Sequence, residues 1–218
     1  MTTAVANSAF DLNAVLSRLA TDRPLFHSEA DFQFALAWGI QQAHPDYRVR
    51  LEWPIKVGTR RAYIDLVVTD PQGRRTAIEL KYWTRRFKGE VLGEQFDLPS
   101  QAAQDINRYD FWKDVARLER LVREGMVNEG FAIALTNDPG YWRPGRGGTI
   151  DEAFRLHDGH EVTGPLGWST AAGSGTTKDR EQPIELQGTH TLAWADYAIT
   201  EAGAASRSRF RFLLLSVG

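Results

Sequence analysis

The sequence contains no cysteine. Disulfides, thiolate-bound metals and cysteine nucleophiles are therefore excluded. No apolar run approaches the length needed to span a bilayer. The first residues, Met1-Thr2-Thr3-Ala4-Val5, lack the basic head and apolar core of a signal peptide. The expectation is a cytoplasmic protein with no membrane partner. Internal repeats are absent as well, and so is an excess of positive charge. Lysine and arginine number 26 against 28 acidic residues, a net of −2, which argues against a general nucleic-acid coat protein. With 218 residues, 42% of them hydrophobic, the chain suffices for one well-buried domain over 1–218.

Charge is nevertheless unevenly spread. From Arg48 to Lys88 there are 11 basic residues against 4 acidic ones, so one region can attract phosphate. Within it lie two segments rich in β-branched and aromatic residues, Arg61–Thr69 and Thr76–Trp83, which read as strands. Asp65 sits in the first, and Glu79 and Lys81 in the second. A charge inside a buried strand is costly unless it is paired, hydrogen-bonded or bound to a metal.

The loop between them suits a three-residue hairpin. Pro71 favours the first corner and Gly73 the left-handed position. Asp70 then faces Arg74, and counting back sets Asp65 opposite Glu79. Side chains alternate along a strand, and opposed residues share a face. The hairpin thus gathers Asp65, Glu79 and Lys81 on one side and sends Ile64, Leu66, Ile78 and Leu80 to the other.

Other elements follow from local signals. Helices are expected over Ser8–Leu19, from Ser28 to Ala43, from a cap at Ser100 to near Gly125, and briefly from Thr149 to near Gly159. Strands are expected over Tyr47–Val57, at an edge or bulge because of Pro54, and over Gly130–Thr136 and Phe210–Val217. Arg85–Gly89 and the Gly- and Thr-rich 164–182 read as loops, the latter mobile. In the long helix the apolar stripe Phe111, Val115, Leu118, Val122 runs back into Arg108, Gln104 and Gln101. In the Ser28 helix the stripe runs back to Glu29. Both helices thereby aim polar groups inward at their N-terminal ends, towards one shared polar centre.

Carboxylates gathered on one face form a hard-oxygen site suited to Mg²⁺ or Mn²⁺. Asp65 and Glu79 would hold the ion, with the Leu80 carbonyl as third ligand. Lys81 would face an attacking water. Glu29 would complete a second metal site or bind a metal-ligating water, and Gln104 would position water or a phosphate oxygen. Arg61, Arg85, Arg86 and Lys88, with Gln101 and Arg108, are the candidate nucleic-acid contacts. The histidines of His157-Asp158-Gly159-His160 read as surface residues, and Trp83, Trp112 and Trp142 as core.

Helix with Glu29, strand, Asp65, Glu79-Leu80-Lys81, helix with Gln104: this order resembles the PD-(D/E)XK nucleases. The likeness spans Ser28 to Thr136, with Ile64 where the family name has proline. It implies an α/β restriction-endonuclease-like core over about 26–137, a central mixed β-sheet flanked by helices. Residues 138–218 would form a C-terminal extension ending in a strand. It also implies a Mg²⁺-dependent endonuclease or exonuclease acting on nucleic acid, DNA foremost, in defence, restriction or repair. Cutting both strands of a duplex would suit a homodimer. Two rival readings stand beside it: a non-catalytic nucleic-acid-binding module of the same fold, and a structural α/β domain in which Lys81 neutralises Glu79.

Overall fold

A computed structural model of the chain describes residues 10–58, 60–201 and 207–218. It is an α/β structure with a mixed central sheet flanked by helices. The chain opens with α1 (Leu12–Asp22) and α2 (Glu29–Ala43), followed by the strands β1 (Arg48–Val57), β2 (Arg60–Thr69) and β3 (Arg75–Trp83). A small hairpin, β4 (Phe87–Val91) and β5 (Glu94–Leu98), precedes the long helix α3 (Gln104–Arg123) and strand β6 (Glu129–Thr136). Next come α4 (Pro139–Trp142), a 3₁₀ turn (Glu152–Phe154), β7 (Glu161–Thr163), α5 (Ser174–Thr177), β8 (Thr189–Thr191), β9 (Trp194–Ile199) and β10 (Arg209–Val217).

The main sheet runs β1-β2-β3-β6-β10-β9. Only β3 and β6 are parallel neighbours, and α3 is the crossover that joins them. β10 pairs with β6, so the chain beyond residue 138 completes the same sheet. Alternation along the strands splits the core in two. Val67, Ala77, Ala132 and Leu213 pack under Phe111, Trp112, Val115 and Leu118 of α3. Leu66, Val68, Ile78 and Leu80 pack under Leu16 of α1 and Phe32, Leu36 and Ile40 of α2. Trp83, Trp112 and Trp142 are all buried, as the sequence suggested.

The turn after β2 has the expected form. The Asp70 amide donates to the Arg74 carbonyl (3.0 Å), and Gly73 has φ +83°. The buried Asp70 carboxylate adds bonds from the Gln72 and Arg74 amides (2.9 and 2.8 Å). α2 begins as read: the Ser28 hydroxyl accepts from the Asp31 amide (3.1 Å), and Asp31 accepts from the His27 amide (2.9 Å). β1 is an edge strand, as Pro54 indicated.

Several local readings are corrected. Ser8 lies outside the described residues; α1 is capped by Asp11, whose carboxylate accepts from the Ala14 amide (3.0 Å). Ser100 does not cap α3. Its hydroxyl accepts from the Arg86 amide (2.9 Å), and the helix starts at Gln104 after a left-handed Ala103. Arg85 and Arg86 lie in a loop as read, but Phe87–Gly89 belong to β4, which folds back on β5 through Leu92 and Gly93, both at positive φ. Leucine at such a corner hides the turn from sequence. The helix expected after Thr149 shrinks to the 3₁₀ turn. Segment 164–182 carries the short α5 and is anchored by Trp168, which stacks on Tyr109 with ring centroids 5.5 Å apart. Finally, Ile64 packs on the α3 side of the sheet, not with Leu66.

Arg108 and Asp151 form a buried ion pair. Burial by itself would raise the Asp151 pKa, but the Thr149 hydroxyl and the Arg108 charge outweigh it and lower the value. Replacing Asp151 by Ala would strand a buried cation, and the expected loss in urea denaturation is about 3–5 kcal/mol at neutral pH. A carboxyl with a lowered folded pKa stabilises above its unfolded value, about 3.9, and ceases to do so as pH falls through the folded one. The deficit of Asp151→Ala relative to wild type should therefore shrink below about pH 4.

Candidate functional site

The β2–β3 ladder follows the expected register from Thr69↔Arg75 to Leu66↔Ile78 and stops there. One more step would set Asp65 opposite Glu79. At that point the strands part, and the Asp65 side chain crosses the gap to accept the Leu80 amide (2.6 Å). Two residues on, the Glu29 carboxylate accepts the Tyr82 amide (2.8 Å). These amides lie on the edge of β3 that β2 has left. An unpaired buried N–H costs about 1–3 kcal/mol, so the two carboxylates replace the missing strand.

The departure of β2 has a visible cause. Across β1 and β2, Leu51 faces Leu66 and Trp53 faces Ile64. Between these pairs both strands turn over together. Ile64 and Trp53 pack towards α3, whereas Leu66 and Val49 pack towards α2. Glu52 takes φ +49° at the turnover, a conformation costly for a residue with a side chain. The buried Gln33 of α2 holds the kink, its amide nitrogen lying 2.8 Å from both Glu52 Oε1 and the Asp65 carbonyl.

Glu79 is buried on the α3 side. Arg117 of α3 donates two bonds to its Oε1 (2.9 and 2.6 Å) and a third to Asp114 (2.6 Å). The other oxygen of Asp114 lies 2.6 Å from Lys81 Nζ, which also donates to the Leu80 carbonyl (3.1 Å). Glu29 is exposed as a whole residue, but its carboxylate turns inward to Tyr82. Desolvation is the largest influence on Glu29, Asp65 and Glu79, and it raises all three pKa values. For Glu79 the nearby Asp114 adds to the rise, ahead of the opposing Arg117. Burial would lower the Lys81 pKa, but Asp114 reverses this and keeps the ammonium charged. Arg117 is likewise raised, Asp114 and Glu79 overcoming desolvation.

The site thus holds Glu29, Asp65, Glu79 and Asp114 against Lys81 and Arg117. It opens on a cleft of about 350 Å³ lined by Glu29, Lys81, Gln101, Asn107 and Asp110, among others. Of the predicted residues, Asp65, Glu79, Lys81, Glu29 and Gln101 come together here. Gln104 does not: it bonds Asp138. Its place was inferred from the inward stripe through Phe111 and Arg108, but at the first position of α3 it meets Asp138, between β6 and α4. Arg108 is unavailable to nucleic acid because it is buried against Asp151, the Gly140 carbonyl (2.7 Å) and the ring of Tyr141. The Leu80 carbonyl, expected as a metal ligand, is engaged by Lys81. Arg85, Arg86 and Lys88 are exposed near Asp138 and Asp97, at 3.5–3.9 Å. Arg61 is exposed on β2 over Tyr63. Gln101 and Arg85 also line an adjoining groove of about 700 Å³.

Sequence reading missed Asp114, Arg117 and Gln33. The i, i+3 spacing of Asp114 and Arg117 is an ordinary helical salt-bridge signal, and nothing local says that it faces Glu79. Two larger depressions, of about 660 and 740 Å³, lie by β9 and between α1 and α2, away from these carboxylates.

The donor chemistry was tested for a divalent cation. Among the described residues no three acidic or imidazole groups stand together as a ready ligand cluster. Mg²⁺ needs only one or two carboxylates, with water and substrate phosphate completing its shell. Asp65 Oδ1 and Glu79 Oε2 receive no hydrogen bond among the described residues, and buried acidic charge exceeds basic charge. Asp65 and Glu79 thus each keep one oxygen available to such an ion. Glu29 likewise gives one oxygen to the Tyr82 amide. Among known proteins, the chain matches no family model and no curated sequence. No helix among the described residues is long and apolar enough to cross a membrane.

Two outcomes follow. Gln33→Leu should cost about 1–3 kcal/mol in urea denaturation, because the kink at Glu52 and Asp65 loses its donor. The second concerns pH. Carboxyls with raised folded pKa values keep protons that the unfolded chain releases. Stability should therefore rise as pH falls from neutral towards the unfolded values near 4. Asp65→Asn and Glu79→Gln should flatten that rise. A flat wild-type profile over this range would contradict the burial argument.

Proposed function

We propose that the chain is a metal-dependent nuclease with a restriction-endonuclease-like core, hydrolysing phosphodiester bonds in DNA, in defence, restriction or repair. The observation that carries this reading is the fork between β2 and β3, where Asp65 and Glu79 stand near Lys81, which with Glu29 lines an open cleft. A sheet that parts around an acidic residue exposes backbone amides and buries like charges, which is unfavourable for a merely structural strand pair. The basic residues Arg85, Arg86 and Lys88 beyond β3 suit a phosphate backbone.

Asp65 and Glu79 would hold Mg²⁺ or Mn²⁺. When bound, such an ion offsets charge on the phosphate and makes a coordinated water more acidic. The protein's own residues do the rest. Lys81 has three N–H donors. One is directed at the Leu80 carbonyl and the ammonium lies 2.6 Å from Asp114, so N–H capacity remains for a water or a phosphate oxygen in the cleft. Because Asp114 keeps Lys81 charged, the lysine acts as a hydrogen-bond donor and electrostatic stabiliser, not as a proton acceptor. Gln101 and Glu29, on the cleft wall, orient water or the sugar-phosphate chain. With one such cleft per chain, cutting both strands requires a homodimer or two successive nicks.

The pairing of Glu79 with Arg117 and of Lys81 with Asp114 favours a second reading, a nucleic-acid-binding module of the same fold without catalysis. The two separate in one assay. Linear, circular and single-stranded DNA and RNA are incubated with Mg²⁺ or Mn²⁺, or with chelator. The nuclease reading expects cleavage only with metal, none by Asp65→Ala, and a loss of about 10²–10³-fold in kcat for Lys81→Ala. Cleavage that survives in Asp65→Ala would sink the site. Metal-independent binding without cleavage would select the second reading.

A further inference from the structure

The side chains of Glu79, Arg117, Asp114 and Lys81 form one continuous chain of short contacts. Arg117 spends two donors on a single oxygen of Glu79, at 2.9 and 2.6 Å, and leaves Oε2 without one. Its remaining contact, 2.6 Å to Oδ1 of Asp114, leaves Oδ2 for Lys81 Nζ at 2.6 Å. Each carboxylate is thus gripped through one oxygen while the other is directed elsewhere. Asp114 and Arg117 lie one turn apart on α3, whose Phe111, Val115 and Leu118 are locked into the core. The pair is therefore mounted on a rigid element. Charge neutralisation alone would be met by a lysine beside Glu79. A guanidinium that reaches one oxygen through Nε and Nη2 together restrains that oxygen with two donors, which a single ammonium contact would not do.

We infer that Asp114 and Arg117 are positioning residues of the proposed hydrolytic site. Arg117 orients Glu79 so that Oε2 is the oxygen offered to a cation, and Asp114 holds Lys81 at the cleft. This rests on the nuclease reading. Partners that hydrogen-bond a metal-ligating carboxylate are worth about 10–100-fold in metal affinity or activity, which sets the expected size of the effects.

The test uses the whole 218-residue chain and Mn²⁺ itself as probe. Mn²⁺ binding is followed by electron paramagnetic resonance and calorimetry, alongside steady-state cleavage of duplex DNA. Arg117→Gln should weaken Mn²⁺ binding about 10–100-fold, and Arg117→Lys, which restores the charge but not the fork, should recover only part of it. Asp114→Asn should leave Mn²⁺ affinity and the KM for DNA close to wild type while kcat falls about 10–100-fold. If Arg117→Gln loses its cooperative thermal transition, Arg117→Lys carries the metal comparison. Wild-type or tighter Mn²⁺ binding by the Arg117 variants would show that the arginine only neutralises or competes, and would overturn its assignment. An unchanged kcat in Asp114→Asn would overturn that of Asp114. Failure of the wild-type protein to bind Mn²⁺ would bring down the nuclease reading and this inference together. A wild type that binds and cuts, with indifferent variants, would remove this inference alone.

Discussion

The bond from the Leu80 amide to the Asp65 carboxylate is the constraint on which the rest of the site depends. A continuous β2–β3 ladder would satisfy β3 with backbone alone and would press Asp65 directly against Glu79. Ending the ladder at Leu66↔Ile78 avoids that opposition but leaves β3 with orphan amides. Asp65 and Glu29 supply the missing acceptors, so two acidic groups are drawn to one place by backbone demand. The kink at Glu52, held by Gln33, is what lets β2 swing away.

That arrangement creates an electrostatic problem, which α3 answers. Four carboxylates crowd the fork, and desolvation works against their charged forms. Arg117 and Lys81 offset part of this through Asp114, and the raised pKa values of Glu29, Asp65 and Glu79 record what is left over. A surplus of buried negative charge is the property shared by a cation site and a poised acid cluster. Stability and the proposed chemistry draw on the same groups, so removing any one of them disturbs both.

Much of this was legible from residue order. Pro71 and Gly73 specify the turn, the turn specifies the register, and the register brings Asp65 towards Glu79. Ser28 and Asp31 specify the start of α2 and so the placing of Glu29. Legibility failed where local signals competed. Ser100 resembles a helix cap but serves the Arg86 amide, and Gln104, at the true start of α3, is taken up by Asp138. Arg108 sits on an inward stripe, as read, but its counter-charge Asp151 is 43 residues away, and no local pattern announces a partner at that distance. Ile64 was misplaced because alternation was assumed through Asp65, the position where both strands turn over.

Taken alone, the sequence determined α2, the first three strands and β6 and β10, the hairpin register and the presence of an acidic pair with a lysine two residues on. These are consequences of short-range geometry: a three-residue loop has few conformations, and strands alternate with period two. Only the tertiary structure decided that β2 and β3 part at Asp65, that Asp114 and Arg117 grip Lys81 and Glu79, and that Arg108 is spent on the core. Those outcomes depend on which charges lie within a few ångströms after α3 crosses the sheet. Coulombic pairing and desolvation act through space, where neighbours in the chain carry little information.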